Sequence, residues 1–309
     1  MNMRTRVDGE QDIYTSPAGC FNYMPRGVNM LSSKDILSVM RERPLICTPI
    51  PADNSDSYLN SLQSAKNMGS DIAEFRIDYF NNISSEILNN VINESELPLI
   101  VTNRNREDGG MFSGGEDIRL EVLETAIKSK PSFVDIELAI DKEKRDNIIE
   151  KARINDVGII CSYHDFRHTP TPNEILKIYS DINETGANVA KMVFTPVTNK
   201  DIRSILSVTE KFSNNEMLFT IFGMRQKGQI TRMLTPLLGA CLTYCSLYKD
   251  PNNNLGQADL QSTRKYFDMM GTKGWSVIRN KRDVLMNLDQ IEFNKDGSYP
   301  LASIDQLLK

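Results

Sequence analysis

The sequence predicts a (β/α)8 barrel, and three observations carry that prediction. Short apolar runs rich in β-branched residues recur eight times, and their starts lie 22 to 35 residues apart. The runs are continuous, which is typical of parallel strands buried on both faces. Segments with helical spacing separate them, as a closed barrel requires. A doubly wound open sheet is the alternative, but it would usually carry a glycine-rich phosphate turn after its first strand, and here that strand ends in TPIPADNSD.

The eight predicted strands follow one another along the chain. They are PLICTPI from Pro44, DIAEFRIDYF from Asp71, LPLIVTNR from Leu97, SFVDIEL from Ser132, VGIICSYHD from Val157, NVAKMVFTP from Asn188, MLFTIFGM from Met217 and GACLTYCS from Gly239. Apolar residues three or four positions apart indicate helices between them. These sets are Tyr58, Leu62 and Ala65; Leu120, Leu123 and Ile127; Ile175, Ile178 and Ile182; and Ile202, Ile205 and Val208. Capping residues support two helix starts, with Thr171 to Glu174 before one and Asn199 or Asp201 before another.

The chain divides into three parts around this barrel. We expect an N-terminal extension over residues 1–45, the barrel over residues 46–271 and a C-terminal extension over residues 272–309. Neither extension is long enough to bury a core of its own. We expect part of the first to form a strand pair that plugs the N-terminal end of the barrel, and the last to be a packing element or an oligomer contact.

Composition and charge restrict the kinds of partner. The 309 residues are 40% hydrophobic, and 36 Lys and Arg residues against 41 Asp and Glu residues give a net charge of -5. This chain lacks the broad positive field that nucleic acid or an anionic membrane requires, and no apolar run approaches the roughly 18 residues of a membrane span. We therefore expect a cytoplasmic protein, without nucleic-acid or membrane partners, that holds any anionic ligand with a few placed cations.

Cysteine usage argues against disulfides and metal sites. The five cysteines are an odd number scattered over a long chain, which fits reduced thiols better than a disulfide framework. Cys241 and Cys245 form a CxxxC motif, but with only two histidines in the chain no zinc ligand set is complete. We predict buried free thiols, no metal and no cofactor.

The second predicted strand carries ionisable residues near its C-terminal end, where barrel enzymes place their active sites. Glu74, Arg76 and Asp78 alternate, so their side chains point to one face, which is the inside if Phe75 and Ile77 pack against helices. They form either a salt-bridged polar layer or a set of substrate contacts.

Four later strands add further candidates. Arg104 ends the third run, and Asp135 and Glu137 lie two residues apart in the fourth. His164 lies near the C-terminal end of the fifth run, where an imidazole suits a general base. Lys191 lies inside the apolar sixth run, so it must be paired, neutral or reactive. A neutral amine is the nucleophile for imine formation with a carbonyl, and a lysine of this kind beside a proton-transfer histidine is typical of class I lyases.

Seven segments, in the same order, resemble the type I 3-dehydroquinate dehydratases over about residues 45–270. They are EFRID from Glu74, RNREDGG from Arg104, DIEL from Asp135, SYHDF from Ser162, AKMVFTP from Ala190, GMRQKGQITR from Gly223 and LGQADL from Leu255. The resemblance implies a (β/α)8 barrel, which agrees with the pattern argument, and a small-molecule carboxylate substrate without a cofactor. We also expect a homodimer.

The resemblance further implies a dehydration in the shikimate pathway through a covalent intermediate. Lys191 would form an imine with the ketone of 3-dehydroquinate and so acidify the neighbouring C–H bond. His164 would remove that proton and then protonate the departing hydroxyl, giving a syn elimination before the imine is hydrolysed. Arg232, which follows Gly228 at the opening of a helix, would clamp the substrate carboxylate.

Five more residues receive roles from the same resemblance. Glu74, Arg76 and Gln257 would hydrogen-bond the substrate hydroxyls and carboxylate. Asn253 would contribute a further hydrogen bond from the loop that closes over the substrate. Arg104 would support the charge balance of the site.

The sequence departs from the family pattern at three places. Asp108 stands where the family commonly has the glutamate that pairs with the catalytic histidine, so this side chain is one methylene shorter. The closing loop reads Asn253-Asn254-Leu255-Gly256-Gln257, where the family pattern is close to Ser-Ala-Pro-Gly-Gln. The serine that is usual in the loop after the seventh strand is replaced near Phe222.

These departures leave two alternatives beside an active dehydratase. One is a divergent imine-forming lyase or aldolase that acts on another keto acid. The other is a non-catalytic ligand-binding barrel, which loss of Lys191 or His164 would have favoured, although both residues are present.

Overall fold

The computed structural model describes residues 32–212, 215–249 and 255–271. Within them, eight parallel strands form the predicted (β/α)8 barrel. The strands are β1 (Leu45–Pro51), β2 (Ile72–Arg76), β3 (Leu99–Thr102), β4 (Phe133–Glu137), β5 (Gly158–His164), β6 (Val189–Phe194), β7 (Leu218–Gly223) and β8 (Leu242–Tyr244). Each predicted run contains one of them, and the strand begins one to three residues after the start of the run.

The sheet is closed almost completely into a barrel. The strands are hydrogen-bonded in the order β7-β6-β5-β4-β3-β2-β1-β8. Two hydrogen bonds join β7 and β8 across the remaining gap. The Cys241 N–H donates to the Phe219 carbonyl at 2.8 Å, and the Thr220 hydroxyl donates to the Leu242 carbonyl at 2.7 Å.

Helices alternate with the strands and cover the outside of the barrel. They are α1 (Ser33–Glu42), α2 (Ser55–Asn67), α3 (Ser85–Glu94), α4 (Glu116–Lys128), α5 (Lys142–Ile154), α6 (Pro172–Asn183), α7 (Asn199–Phe212), α8 (Arg225–Leu237) and α9 (Leu260–Gly271). The predicted cap of α6 is confirmed, because Thr171 and Glu174 form a reciprocal capping box. At α7 the reciprocal bonds join Thr198 and Asp201, so the residue before Asn199 is the one that caps this helix.

Alternate residues of each strand point to opposite faces, and both faces are buried. Outward residues such as Phe75, Val101 and Ile136 pack with the helices in one hydrophobic cluster. Inward residues such as Ile100 and Phe133 fill the lower part of the barrel in a second cluster. Because the lower interior is already filled with apolar side chains, the polar inward residues meet at the C-terminal end of the strands.

Helix α1 closes the N-terminal end of the barrel. Its Ile36 and Met40 are buried in the inner cluster with Leu45 and Leu242. The part of the N-terminal extension that the structure describes is therefore a helix. A strand pair within residues 1–31, and the role predicted for residues 272–309, fall outside the described residues and stay predictions.

Two further expectations can be compared with the described part of the chain. Four cysteines are buried free thiols, as predicted, namely Cys47, Cys161, Cys241 and Cys245. Cys20 lies outside the described residues. No described helix has both the length and the apolar character needed to cross a membrane.

Candidate active site

A cavity of about 710 Å³ opens at the C-terminal ends of the barrel strands. Eight of the nine predicted site residues lie on its wall, and Asn253 lies outside the described residues. The eight are Glu74, Arg76, Arg104, Asp108, His164, Lys191, Arg232 and Gln257. Barrel closure therefore brings together side chains from β2, β5 and β6 and from the segments that follow β3, β7 and β8, as the fold predicts for a catalytic site.

Lys191 lies on the inner face of β6 and is almost completely buried. Its Nζ donates to Oδ2 of Asp135 at 2.9 Å and to Oε1 of Glu74 at 3.3 Å. The same atom lies 4.4 Å from the centre of the Tyr244 ring. Of the three states that the sequence allows for this lysine, the structure therefore contains the paired one, with two carboxylates and an aromatic face around the nitrogen.

Arg104 follows β3 and organises the second side of Asp135. Its Nη2 donates to Oδ1 of Asp135 at 2.6 Å, and its Nη1 donates to Glu137 and to the Ser162 hydroxyl, both at 3.1 Å. Burial alone would raise the pKa of Asp135, but Arg104 and Lys191 hold the pKa of this carboxyl well below its usual range. Asp135 is thus ionised beside Lys191 at neutral pH, and Arg104 contacts it as the expected charge-balancing role requires.

The second strand places Glu74 and Arg76 in the cavity wall. Glu74 also accepts a hydrogen bond from the Thr102 hydroxyl at 2.9 Å. Arg76 is held by Asp78 through two hydrogen bonds of 2.9 and 2.7 Å. Strand β2 ends at Arg76, and Asp78 lies in the 3-10 turn that follows, so the alternation predicted for three residues applies to the first two. Glu74 and Arg76 therefore form salt bridges and line the cavity at the same time.

His164 is the last residue of β5 and faces the cavity. Its ring stacks on Phe166 with 5.9 Å between ring centres and 10° between the planes. Its Nδ1 is buried and has no hydrogen-bond partner in the described part of the chain. Burial, with the positive charges of Arg104 and Lys191, holds the pKa of His164 well below its usual range. The imidazole is therefore neutral at neutral pH, which is the protonation state of a general base.

Asp108 lies on the cavity wall but does not pair with His164. The two side chains share no hydrogen bond, and the Nδ1 atom that such a pair would use is unpartnered. The loop is fixed from the other side, because the Asp108 N–H donates to the Asn105 side chain at 2.7 Å. Gly110 lies so close to Arg104 that an added Cβ would be 2.0 Å from the Arg104 carbonyl oxygen. Asp108 therefore reaches the cavity wall without a hydrogen bond to His164, and its side chain is one methylene shorter than the family's glutamate. The catalytic role expected of Asp108 stays a prediction.

Arg232 is a buried cation without a carboxylate partner among the described residues. Its guanidinium donates to the backbone carbonyls of Tyr244 and Leu255 at 3.4 and 3.1 Å and lies 4.2 Å from the Phe222 ring centre. Its Nε is buried without a hydrogen-bond partner. Burial lowers the pKa of Arg232 to about 9, so the group is still charged at neutral pH. It lies in the middle of α8 and not at its opening, so the guanidinium itself, rather than the helix N-terminus, offers charge to an anion.

The loop after β8 brings Gln257 to the cavity. Gly256 has a φ of +67° and lies against Arg225, whose carbonyl oxygen would be 1.9 Å from an added Cβ. The Arg225 N–H in turn donates to the Leu255 carbonyl at 3.1 Å. This contact fixes the end of the loop beside the start of α8, and only glycine combines that φ with that approach.

Two residues of the site were not among the sequence candidates, and a third, Asp135, was a candidate without an assigned role. Asp135 contacts Lys191 directly. This contact could have been anticipated from the sequence, because a carboxylate on the inward face of an apolar strand needs a partner. Tyr244 could be found only from the register of β8, since an aromatic residue in an apolar run looks like ordinary core. Ser162, which donates to Asp135 at 2.7 Å, gives no signal of its own in a strand.

A lysine held between carboxylates and a neutral histidine, both facing one cavity of a (β/α)8 barrel, are the groups that the chemistry of a lysine-imine lyase requires. The comparisons with known proteins agree. Residues 46–274 match the family model described as type I 3-dehydroquinase. The chain belongs to this family, and it is accordingly a carbon–oxygen lyase of the shikimate pathway.

Two relatives and two solved structures illustrate the match. The 3-dehydroquinate dehydratase of Methanosarcina acetivorans is 32% identical over 218 residues, which are 69% of this chain and 90% of the relative. That of Methanocaldococcus jannaschii is 31% identical over 234 residues, 74% of this chain and 100% of the relative. The Clostridium difficile enzyme superposes with a TM-score of 0.70 at 24% identity, over 75% of this chain and 93% of the other. The Geobacillus kaustophilus enzyme gives the same TM-score at 23% identity and the same coverages. These structures share the fold.

Proposed function

We propose that Lys191 and His164 carry out the dehydration of 3-dehydroquinate in this chain. The observation that carries the proposal is that both side chains face one cavity, the lysine among carboxylates and the histidine neutral. Lys191 forms a new C–N bond to the ketone carbon, and loss of one water gives the imine. Since the imine withdraws electrons, the neighbouring C–H becomes acidic enough for His164 to accept its proton.

Elimination and release complete the reaction. The electron pair of the broken C–H bond forms the new C=C bond as the C–O bond to the hydroxyl breaks. His164 returns its proton to the leaving hydroxyl, so water departs from the face on which the proton was removed. Hydrolysis of the imine then frees 3-dehydroshikimate and restores Lys191.

The surroundings of Lys191 supply the proton transfer that must come first. An ammonium cannot attack a carbonyl, so the nitrogen has to lose a proton as substrate binds. Asp135 and Glu74 both accept hydrogen bonds from this nitrogen and provide two routes for the proton. Arg104 and Lys191 keep Asp135 ionised, which makes Asp135 a weak proton acceptor.

Substrate is oriented by its carboxylate and its hydroxyls. We assign the carboxylate to Arg232, which has no carboxylate partner among the described residues. Glu74, Arg76 and Gln257 line the same cavity and are placed to hydrogen-bond the hydroxyls. Asn253, outside the described residues, keeps its predicted contact from the closing loop.

Trapping of the imine tests the proposal. The protein is incubated with 3-dehydroquinate, reduced with sodium borohydride and digested for mass spectrometry. We expect a reduced adduct on the peptide that contains Lys191 and none on K191M. K200M, which removes an exposed lysine of α7, is the matched control and should keep the adduct. A wild-type protein that binds substrate without acquiring the adduct would contradict the proposal.

The histidine is tested separately from the lysine. H164N should still form the adduct, because the imine does not need the imidazole, but turnover should fall by about 10²- to 10⁴-fold. An H164N variant with wild-type turnover would remove His164 from the mechanism.

We also propose that the enzyme acts in the cytoplasm as a homodimer. Its buried free thiols and the absence of a membrane-spanning helix among the described residues support the first part. The second part rests on the family resemblance. Light scattering coupled to gel filtration gives the mass of the assembly, and a mass of one chain at micromolar concentration would exclude the dimer.

A further inference from the structure

Arg119 is a buried arginine on a helix that lies outside the barrel. It belongs to α4, and only 1% of its side chain is exposed. Its guanidinium pairs with Glu137 of β4 at 2.9 Å and with Glu116 of its own helix through bonds of 2.9 and 2.8 Å. An arginine on an outer helix normally keeps its charged end in water, so complete burial against a strand carboxylate requires an explanation.

A second set of bonds joins Arg119 to the end of β3. Its Nη1 donates to the carbonyl of Asn103, and the Asn103 side-chain amide donates to the carbonyl of Arg119 at 3.0 Å. Asn103 is the residue directly before Arg104. Arg119 therefore fixes the backbone from which the Arg104 side chain enters the site.

Glu137 carries the contact from Arg119 into the cavity. It accepts a hydrogen bond from Arg104 at 3.1 Å, and Arg104 holds Asp135 at 2.6 Å. Asp135 then pairs with Lys191 at 2.9 Å. The result is a continuous row of side chains whose charges alternate in sign. From the surface inward the row is Glu116, Arg119, Glu137, Arg104, Asp135, Lys191 and Glu74.

We propose that Arg119 is a positioning residue of the reaction, which sets Arg104, and through it Asp135, in the place that Lys191 requires. The proposal rests on the function proposed above for Lys191. Arg119 does not touch the cavity, and it acts by two routes, the backbone of Asn103 and the carboxylate of Glu137.

Loss of Arg119 would change what Arg104 binds. Glu137 is buried and would keep Arg104 as its remaining cation. The repulsion between the two arginines on Glu137 would also disappear, so Arg104 would move toward Glu137 and loosen its short contact with Asp135. Asp135 would then no longer be fixed beside Lys191, while the substrate contacts on the other side of the cavity would remain.

The test compares R119M and R119K with R145M. Arg145 is the matched control, because it lies on the next outer helix, α5, and donates to the Leu138 carbonyl at 2.7 Å beyond the end of β4, but contacts no carboxylate of the row. Competent sites are counted by borohydride trapping, so that kcat refers to folded protein only. We expect R119M to lower kcat by about 10- to 100-fold, the size of effect that a small misplacement of catalytic groups produces, with KM changed much less. R119K should recover part of this loss, and R145M should keep kcat within about twofold of wild type.

The pH profile separates positioning from simple stabilisation. Removing the positive charge of Arg119 favours the protonated form of the ionisable groups that remain in the row and in the cavity. The acid limb of kcat should therefore move to higher pH in R119M and stay in place in R119K, which keeps the charge. An unmoved limb together with an unchanged kcat in R119M would overturn the proposal.

A double-mutant cycle with E137Q shows the route. If Arg119 acts through Glu137, the double variant R119M/E137Q should be no slower than the slower of its two single variants. Fully additive losses would overturn this route. If R119M does not fold, R119K and E137Q carry the test, and wild-type kcat in both would reject the proposal. Failure of the wild type to form the Lys191 adduct would instead reject the proposed function, so the two failures are distinguishable.

Discussion

Lys191 and Arg232 are two buried cations in one cavity with opposite surroundings. Lys191 has carboxylates at 2.9 and 3.3 Å. Arg232 is held by backbone carbonyls and an aromatic ring and has no carboxylate partner among the described residues. A paired cation is stable without ligand, whereas an unpaired one gains most from a bound anion. We therefore expect the chemistry at the lysine, whose charge is balanced, and anion binding at the arginine, whose charge is not.

His164 should remain unprotonated well into the acidic range. The reference pKa of histidine is about 6.5, and burial with Arg104 and Lys191 lowers the pKa of His164 below it. The base should therefore be available at pH 6, and its protonation should reduce kcat only below the reference value. The protonation of His164 also lowers the free energy of unfolding at acidic pH. The unfolded chain binds this proton first as pH falls through about 6.5, so the histidine costs stability at acidic pH and none above neutrality.

Nuclear magnetic resonance can test this pKa directly, because the chain has only two histidines. We expect the imidazole signal of His164 to stay constant from pH 8 to pH 6. H168Q assigns the two signals, since His168 is 70% exposed and paired with Asp165 at 2.8 Å. A midpoint at or above 6.5 for His164 would contradict the prediction.

At the scale of elements, the two ends of the barrel are built for different purposes. The C-terminal ends of the strands carry polar side chains around a cavity, and the N-terminal end is closed by α1. The helix begins with a capping box between Ser32 and Asp35, which fixes where it starts. Its buried side is short, with Ile36 and Met40 inserted among strand residues. Such a plug stabilises the fold without taking part in the chemistry.

Met40→Ala should therefore separate stability from activity. Met40 is 2% exposed, so the substitution leaves a cavity beneath the strands and should lower the free energy of unfolding by about 2–5 kcal/mol. S38A, at an exposed position of the same helix, is the control and should change it by less than about 0.5 kcal/mol. Urea unfolding gives both values, and kcat of the folded protein should be unchanged in both variants. A loss below about 1 kcal/mol in M40A would show that α1 does not support the barrel.

At the scale of the whole molecule, the charge is distributed unevenly. The chain carries a net charge of -5, yet Arg76, Arg104, Lys191 and Arg232 all line one cavity. Two of the four are neutralised inside the protein by more than one carboxylate contact, Lys191 by Asp135 and Glu74, and Arg104 by Asp135 and Glu137. The acidic net charge and the cations of the cavity are compatible because a small carboxylate needs positive charge only where it binds.

Arg232→Met should weaken substrate binding without weakening the free protein. Hydrogen bonds to a charged partner contribute about 1.5–3 kcal/mol, so KM should rise by about 10- to 100-fold. The melting temperature without ligand should not fall, because the variant no longer buries a cation that lacks a carboxylate partner among the described residues. R106M, which removes an exposed arginine of the loop after β3, is the control and should leave KM within about twofold. A lower melting temperature with unchanged KM would show that Arg232 is structural.

Much of this protein could be predicted from its sequence because the signals are local. The eight apolar runs predict the strands, and each strand begins one to three residues after the start of its run. Lys191 and His164 stand out because an ionisable residue inside an apolar run is costly and needs a reason. Whether the Asp108 carboxylate reaches His164 could not be predicted, because it depends on how the loop after β3 folds, and no hydrogen bond joins the two side chains in the structure.

The sequence by itself determined the barrel, the location of the candidate site at the strand ends and the two residues to which we assign the chemistry. Only the tertiary structure decided the partners of those residues. Lys191 contacts Asp135, which is 56 residues away in the sequence, and Glu74, which is 117 residues away. In the sequence Arg119 has the pattern of a solvated helix residue, and only the packing of α4 against β4 pairs it with Glu137. The physical reason is that the local pattern of apolar residues indicates which residues are buried. Pairing depends on which side chains barrel closure brings within 3 or 4 Å of each other, and at that distance the low dielectric makes each contact decisive.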